Sequence, residues 1–422
     1  MPPPSPPLSL TAIQRGILRA VRTRPLTRAE IALQLKLSRS TLSSEILRLL
    51  DLGLLASTGL DQSHGGRRSG LLSVGGAEAA VVAGVEIDAV RLRVMIATLG
   101  MQALTSRHVE TAVNDDPQET LDHAATLIAD ALEPNFGPLV AIGVSLPATI
   151  DVLTGAPVVA PSMPRWIGVP VGSYFANRFA TRALTDTDLN ALALGESRAS
   201  HSAPLGSSFL VLKVSEGLGC GIVINDTLYR GSHGAAGEVG HISADLRDST
   251  VCACGNRGCL DVTIGTSDAL VRMRDHIAVR DRDLLPAESV LDQRDELSIA
   301  LIGQATVDGD LLAVTLLKEI GTRLGFMLAG IISFFNPSSV VISGATIPGH
   351  GVLLSAIRRT IYEHAFPGST RRLQIVESGI AEEGVVIGAT VLASDGFLGT
   401  AGRVAFSTAA REVAELPEVV DA

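Results

Sequence analysis

Residues 214–261 read VSEGLGCGIVINDTLYRGSHGAAGEVGHISADLRDSTVCACGNRGCLD. Three of the chain's four cysteines, Cys252, Cys254 and Cys259, fall within eight residues here, and His241 stands eleven positions ahead of the first. Three thiolates and one imidazole are a standard ligand set for tetrahedral Zn²⁺. Gly255 and Gly258 free the backbone so that Cys259 can return toward the closely spaced Cys252 and Cys254. Protein atoms fill all four positions and leave no place for an activated water, so one structural Zn²⁺ per chain is expected. On spacing alone the alternatives are free thiols and an ordinary polar histidine. Cys220, the fourth cysteine, lies in a glycine-rich turn and reads as a small packing residue.

The cluster belongs to a chain of 422 residues with a net charge of −10. That length predicts two or three domains. No uninterrupted apolar run reaches the roughly 18 residues of a membrane span. The N-terminal MPPPSPPLSL lacks the basic and apolar segments of a signal peptide, so residues 1–9 read as a disordered proline-rich lead. A soluble cytoplasmic protein with no membrane partner is expected. In a reducing compartment, clustered cysteines also point to metal before disulfides. Charge is uneven: residues 1–70 carry ten Lys or Arg against four Asp or Glu, or +6, which leaves 24 against 40, or −16, for the rest. A basic head on an acidic body predicts phosphate contacts confined to the head.

Within that head, apolar residues recur at helical spacing: Ile13, Ile17, Leu18 and Val21, then Ile31 and Leu35, then Leu42, Ile46, Leu47, Leu49 and Leu50. Thr27 with Glu30 forms a capping-box signal, and Ser38 can cap a third helix that stops near Gly53. The short joint LKLS between the second and third helices has helix-turn-helix length. Arg39, Ser40, Thr41, Ser43 and Ser44 would then occupy the helical half that faces base edges in the major groove. A strand, loop, strand follows, with Arg67 and Arg68 at the loop tip. The pattern is a winged helix-turn-helix expected to bind double-stranded DNA; a helical protein-interaction module with a solvated basic face is the alternative.

From Val81 the pattern turns to β. VVAGVEIDAVRLRVMIATLG and, well over a hundred residues later, SSFLVLKVSEGLGCGIVINDTLYRG share one design of strand, turn and strand, each followed by α/β segments. Two α/β lobes with a cleft between them are expected. The glycine-rich turn, GxxGAAGExGH from Gly231 to His241, and CxCGxxGC, together with DLNALALGE from Asp188 to Glu196, resemble the signature region of the ROK family of sugar kinases and sugar-responsive transcription factors. The likeness covers roughly residues 76–400, and regulators of that family carry an N-terminal winged helix-turn-helix.

The resemblance implies an α/β architecture: an N-terminal winged helix-turn-helix followed by a two-lobed sugar kinase/actin-like, ribonuclease H-like fold. The expected divisions are a head at 10–75, a first lobe at 76–190 to which 390–422 returns, and a second lobe with the zinc element at 191–389. Asp188 aligns with the family's catalytic base, and Glu238, His241 and Asp261 fall where the family contacts sugar hydroxyls. Thr187 replaces the family's Asn, and Asp261 its Glu, which bears on the choice of sugar. By the same comparison, fixing the ring of His241 on metal would also set Glu238 and shape the sugar pocket. Met163 and Trp166, in PSMPRW, could flank a sugar face or belong to the core.

A ROK kinase approaches ATP with an Asp-x-Gly-Gly turn and a Gly-Thr-Gly turn. Here the first reads Glu86, Ile87, Asp88, Ala89, Val90 and the second Ser215, Glu216, Gly217, Leu218, Gly219. Glycines are missing, and carboxylates stand where phosphates would lie. The expectation is therefore a sugar-responsive transcriptional regulator, a repressor and not an enzyme, with Asp188 a vestigial base. It would sense a monosaccharide or its derivative and meet a pseudo-palindromic operator as a homodimer or tetramer. The alternative is an ATP-dependent sugar kinase with an attached DNA-binding head. The tail from about Arg403 reads as an extension of the last helix.

Overall fold

The computed structural model describes residues 8–60, 70–111, 113, 116–199, 204–215, 217–243, 249–279, 298–344, 348–380, 382–399 and 406–407. Most of the proline-rich lead, the loop tip with Arg67 and Arg68, Glu216, and the tail beyond Ser407 lie outside the described residues. No single helix among the described residues is long and apolar enough to cross a membrane.

The chain divides into two compact units: residues 1–195, 232–234 and 384–422 form the first, and 196–231 with 235–383 the second. The first begins with helices α1 (Ala12–Arg22), α2 (Arg28–Leu35) and α3 (Arg39–Asp51). Three short strands, β1 (Leu26–Thr27), β2 (Leu55–Leu60) and β3 (Gly70–Val74), pair in the order β1-β3-β2. This is the winged-helix arrangement. The Thr27 capping box forms: the Glu30 N–H donates to Thr27 Oγ1 at 3.2 Å, and Glu30 Oε2 accepts the Thr27 N–H at 2.7 Å. Ser38 Oγ accepts the Thr41 N–H at 3.2 Å and starts α3, and Gly53, at φ +71, ends it.

GGAEAA after β3 looks like a linker in sequence, yet it is packed. A Cβ on Gly75 would lie 1.9 Å from the Gly53 carbonyl oxygen. Ala79 and Ala80 enter one apolar cluster with Ile17, Leu18, Ile46 and Leu49 of the head and Val82, Leu99, Ala393 and Phe397 of the body. The head therefore shares a core with the first lobe.

That lobe contains β4 (Val81–Ile87), β5 (Arg91–Thr98), β6 (Ala103–Glu110), α4 (Pro117–Ala131), β7 (Leu139–Leu146), the pair β8 (Thr149–Ile150) and β9 (Pro157–Val159), α5 (Val171–Phe179), β10 (Arg182–Thr187) and α6 (Asp188–Glu196). The second unit contains β11 (Phe209–Val214), β12 (Leu218–Ile224), β13 (Thr227–Leu228), α7 (Leu260–Ile264), α8 (Thr266–Val279), α9 (Ile299–Val307), α10 (Leu311–Phe335), β14 (Ser339–Ser343), α11 (His350–His364), α12 (Pro367–Thr370) and β15 (Gln374–Glu377). α13 (Gly384–Leu398) and β16 (Phe406–Ser407) return to the first. The tail thus supplies an edge strand, antiparallel to β10, where a continued helix was expected.

The sheets repeat one topology. The first runs β6-β5-β4-β7-β10-β16 and the second β13-β12-β11-β14-β15. In each, the first three strands in sequence pair antiparallel and the fourth and fifth run parallel to the first. β4 is buried along its whole length, as a central strand covered on both faces must be. α13 lies directly on that sheet: a Cβ on Gly143 would fall 2.0 Å from the Ala389 carbonyl oxygen. The same helix meets α6, where a Cβ on Gly388 would fall 1.6 Å from the Ala191 carbonyl oxygen.

Candidate functional site

The zinc-like sequence folds into a tight knuckle. Val251 bridges Arg257 and Ser243 bridges Cys259. The Cys252 N–H donates to the Asn256 carbonyl at 2.8 Å, the Gly255 N–H to the Cys252 carbonyl at 2.9 Å, and Gly255 takes φ +94. One ligand atom each from His241, Cys252, Cys254 and Cys259 lies within 4.8 Å of all the others. Cys254 Sγ and Cys259 Sγ are 3.8 Å apart, and Cys252 Sγ is 3.6 Å from His241 Nδ1. A tetrahedron with Zn–S bonds of about 2.3 Å puts two sulfurs about 3.8 Å apart. The donor set and its spacing fit a metal ion. Cys220 is 1% exposed, and burial pushes its thiol up to about 12, consistent with a neutral packing residue.

His241 turns its other ring nitrogen toward Glu238: Nε2 and Oε2 are 3.9 Å apart. A carboxylate behind a ligating imidazole is the usual support for a metal-bound histidine. Glu238 sits in a loop pressed against β12, because a Cβ on Gly237 would lie 1.7 Å from the Cys220 carbonyl oxygen and the Cys220 N–H donates to the Gly237 carbonyl at 2.8 Å. Asp261, in the first turn of α7, commits one oxygen to the chain itself: Oδ1 accepts the Leu218 N–H at 2.7 Å. That bond ties the Cys/His knuckle to the start of β12.

Asp188, on the first unit, opens α6. Thr187, 4% exposed, caps this helix by accepting the Asn190 N–H on Oγ1 at 3.0 Å, and the Asn190 side chain donates to Asp186 Oδ1 at 2.7 Å. Capping thus falls to Thr187 and the buried amide to Asn190. Asp188 Oδ1 accepts the Leu189 N–H at 2.9 Å, and the residue stays half-buried.

On the head, Arg39, Ser40, Ser43 and Ser44 are exposed along α3 and Thr41 is half-buried. The hydroxyls of Ser40 and Thr41 both meet Ser38 Oγ, at 3.0 and 2.9 Å. Leu47 continues this face one turn on and is 54% exposed. Apolar periodicity groups it with Leu42, Ile46 and Leu49, because periodicity does not separate the buried stripe from an apolar contact residue beside it.

The sequence profile described as the ROK family matches residues 82–396. The chain belongs to the ROK family. Among its relatives are a protein named putative xylose repressor from Caldicellulosiruptor sp. (strain Rt8B.4), 26% identical over 373 residues, 87% of this chain and 92% of that one. Another is the DNA-binding transcriptional dual regulator NagC of Escherichia coli (strain K12), 28% identical over 360 residues, 84% of this chain and 85% of that one. The crystal structure of a ROK family transcriptional regulator, described as a homologue of the E. coli MLC protein, matches the fold with a TM-score of 0.78 at 23% identity, over 92% of this chain and 97% of that one.

The Glu86–Val90 turn, which stands where the resemblance to ROK kinases places the first ATP turn, has its own chemistry. Glu86 is 5% exposed and faces Arg93 Nη1 at 3.6 Å, and Asp88 Oδ2 faces Arg91 Nε at 3.3 Å. Both carboxylates are therefore partly neutralised, and charge repulsion of a triphosphate is weaker than the sequence implied. The arginines were legible, since a hairpin turning at Asp88–Arg91 sets Glu86 opposite Arg93. The backbone of the turn is engaged as well. The Asp88 N–H donates to the Arg91 carbonyl at 3.0 Å and the Ala89 N–H to Asp88 Oδ1 at 2.6 Å, so two amides of this turn are already bonded. Trp166 and Met163 are both 0% exposed in the core of the first lobe, where the indole N–H donates to the Val113 carbonyl at 3.3 Å; neither flanks a sugar.

Proposed function

We propose that this ROK protein is a sugar-responsive transcriptional repressor that binds a double-stranded DNA operator through its winged head and performs no phosphoryl transfer. The observation that carries the reading is the pairing of an exposed polar face on α3 with a Glu86–Val90 turn that lacks glycine and has two of its amides already bonded within the chain. Its relatives named as repressors support it. Asp188, Glu238, His241 and Asp261 supply carboxylates and an imidazole for charge-assisted hydrogen bonds to sugar hydroxyls. Arg39, Ser40, Thr41, Ser43 and Ser44 read base edges, with Arg67 and Arg68 on the adjoining backbone. One structural Zn²⁺ on His241, Cys252, Cys254 and Cys259 holds the knuckle, so that His241 and Glu238 are positioned together. The working assembly is a homodimer or a dimer of dimers on a pseudo-palindromic site.

A thermal-shift screen over monosaccharides, with D-xylose and N-acetylglucosamine included because relatives are named xylose repressor and N-acetylglucosamine repressor, tests the sensor. A stabilising sugar whose effect vanishes in Glu238→Ala, with the fold retained, supports it. ATP-dependent turnover of that sugar, abolished in Asp188→Asn, would instead establish a kinase with a DNA-binding head.

A further inference from the structure

The parallel strands of the second sheet begin side by side: Phe209 of β11 pairs with Ser339 of β14, and Ser339 with Gln374 of β15. The residues just before these starts, Ser208, Ser338 and Leu373, line a cavity of about 430 Å³. The Ser215–Gly219 turn, where the family resemblance places the second ATP turn, follows the opposite end of β11, and Asp261 is bonded to the Leu218 N–H at that same end. In open α/β sheets nucleotides and substrates bind beyond the carboxyl ends of the strands. A cavity at the amino ends is therefore a separate place on the molecule.

The lining suits negative charge. It holds two arginines, three serines and one asparagine, and no carboxylate. Arg371 and Arg372 are exposed, and neither side chain has an ion pair or hydrogen bond among the described residues. They stand on a body whose residues after 70 carry a net −16. Ser369 is only 8% exposed, yet its hydroxyl also lacks a partner among the described residues. Buried hydroxyls are ordinarily hydrogen-bonded, so this one points to a group that the chain does not supply. The polar groups around it are held in place. Gly206, at φ +80, leaves room for Ser338: a Cβ there would lie 2.3 Å from Ser338 Oγ, which donates to the Ser208 carbonyl at 2.6 Å. Ser208 Oγ accepts the Asn225 N–H at 3.1 Å and keeps its own proton to donate. Asn336, just past the end of α10, adds a side-chain amide with no partner among the described residues.

We propose that this cavity binds a phosphate-bearing small molecule, its phosphate held by Arg371, Arg372 and the hydroxyls of Ser208 and Ser369. Two guanidinium forks, two hydroxyls and an amide supply more donors than the two oxygens of a carboxylate can use, and they match the several oxygens of a phosphate. The volume falls within the roughly 300–1,000 Å³ of small-molecule sites, which leaves space for an organic group beside the phosphate. A nucleic-acid backbone offers the same phosphates, but the recessed Ser369 hydroxyl favours a ligand that enters the cavity over a duplex that lies across it.

The site does not depend on the repressor reading, and calorimetric titration of the full chain at physiological ionic strength tests it, with inorganic phosphate and glucose 6-phosphate as probes. Inorganic phosphate is expected to saturate one site per chain in the wild type and equally in Glu238→Ala, which alters the sugar cleft alone. Arg371→Ala combined with Arg372→Ala is expected to weaken that binding about tenfold or more, and Ser369→Ala to weaken it severalfold, both with unchanged melting temperature. Tighter binding of glucose 6-phosphate than of inorganic phosphate to the Glu238→Ala chain supports an organic phosphate as the ligand, and equal binding supports the free ion. Absence of saturable phosphate binding, binding that survives the double arginine substitution, or binding lost in Glu238→Ala overturns the proposal. A double arginine variant whose operator affinity falls on every sequence overturns it too, by assigning these arginines to DNA.

Discussion

Arg22 at the end of α1 and Asp395 in α13 form an ion pair of 2.5 Å, with side chains only 8% and 11% exposed, and the same guanidinium donates to Ser394 Oγ at 3.2 Å. The pair fastens the DNA-binding head to the helix that also lies against α6, the helix opened by Asp188. One helix therefore touches both α6 and the head. A shift of α6 that moved α13 would reach the head through packing and this ion pair, a contiguous physical route of the kind coupling between two sites can use.

Arg22→Ala leaves the Asp395 carboxylate without its guanidinium in a nearly buried site. The expected cost is about 3 kcal/mol, read as an earlier unfolding transition of the head. The sugar's effect on operator affinity is expected to shrink, while sugar binding itself is retained. Equal sugar effects in variant and wild type would remove this pair from the coupling route.

Thr27→Ala removes one half of the capping box that starts α2, at a cost of about 1 kcal/mol. The box also carries a pH signature. The Thr27 N–H, together with its hydroxyl, holds the Glu30 carboxyl below its ordinary value of 4.5. A depressed folded value means the contribution is complete above that ordinary value and fades as pH falls through the lower one. Acid titration of head stability is expected to lose this component in Glu30→Gln, which is never ionised.

Cys254→Ser is expected to abolish stoichiometric zinc, measured by plasma mass spectrometry, and to lower the melting temperature by roughly 5–10 °C, corresponding to a few kcal/mol in a unit of this size. Sugar affinity should fall with it, because Glu238 stands behind His241. A chain purified free of metal and equally stable contradicts the Cys₃His site.

Arg67→Ala with Arg68→Ala is expected to weaken DNA binding on all sequences and to reduce the slope of log K against log salt by about 2. Arg39→Ala and Leu47→Ala are expected to change which operator is preferred, the second by losing an apolar contact suited to a thymine methyl. Selection of bound sequences from a random pool separates the two classes.

Much of this was legible in the sequence, for reasons that differ by element. The Thr27 capping box, the Ser38 cap and the Gly53 stop are local chemistry, so they survive folding unchanged. The Cys₃His knuckle was readable because its ligands lie within a span of nineteen residues, from His241 to Cys259. Long-range contacts were hidden. Nothing near Arg22 announces Asp395, 373 residues away, and Gly75 looks like a linker glycine until Gly53 is seen against it. Trp166 and Met163 resemble sugar-facing residues by position alone; only burial assigns them to the core.

The most direct test of the central claim is operator binding by fluorescence anisotropy while each monosaccharide is titrated without nucleotide, followed by an assay for sugar phosphate after adding ATP and Mg²⁺. The account predicts that one sugar shifts operator affinity by about tenfold or more, a coupling of about 1.4 kcal/mol, that Asp188→Asn abolishes the shift, and that no sugar phosphate forms. Steady production of sugar phosphate by the wild-type chain, or operator binding that no sugar alters, would contradict it.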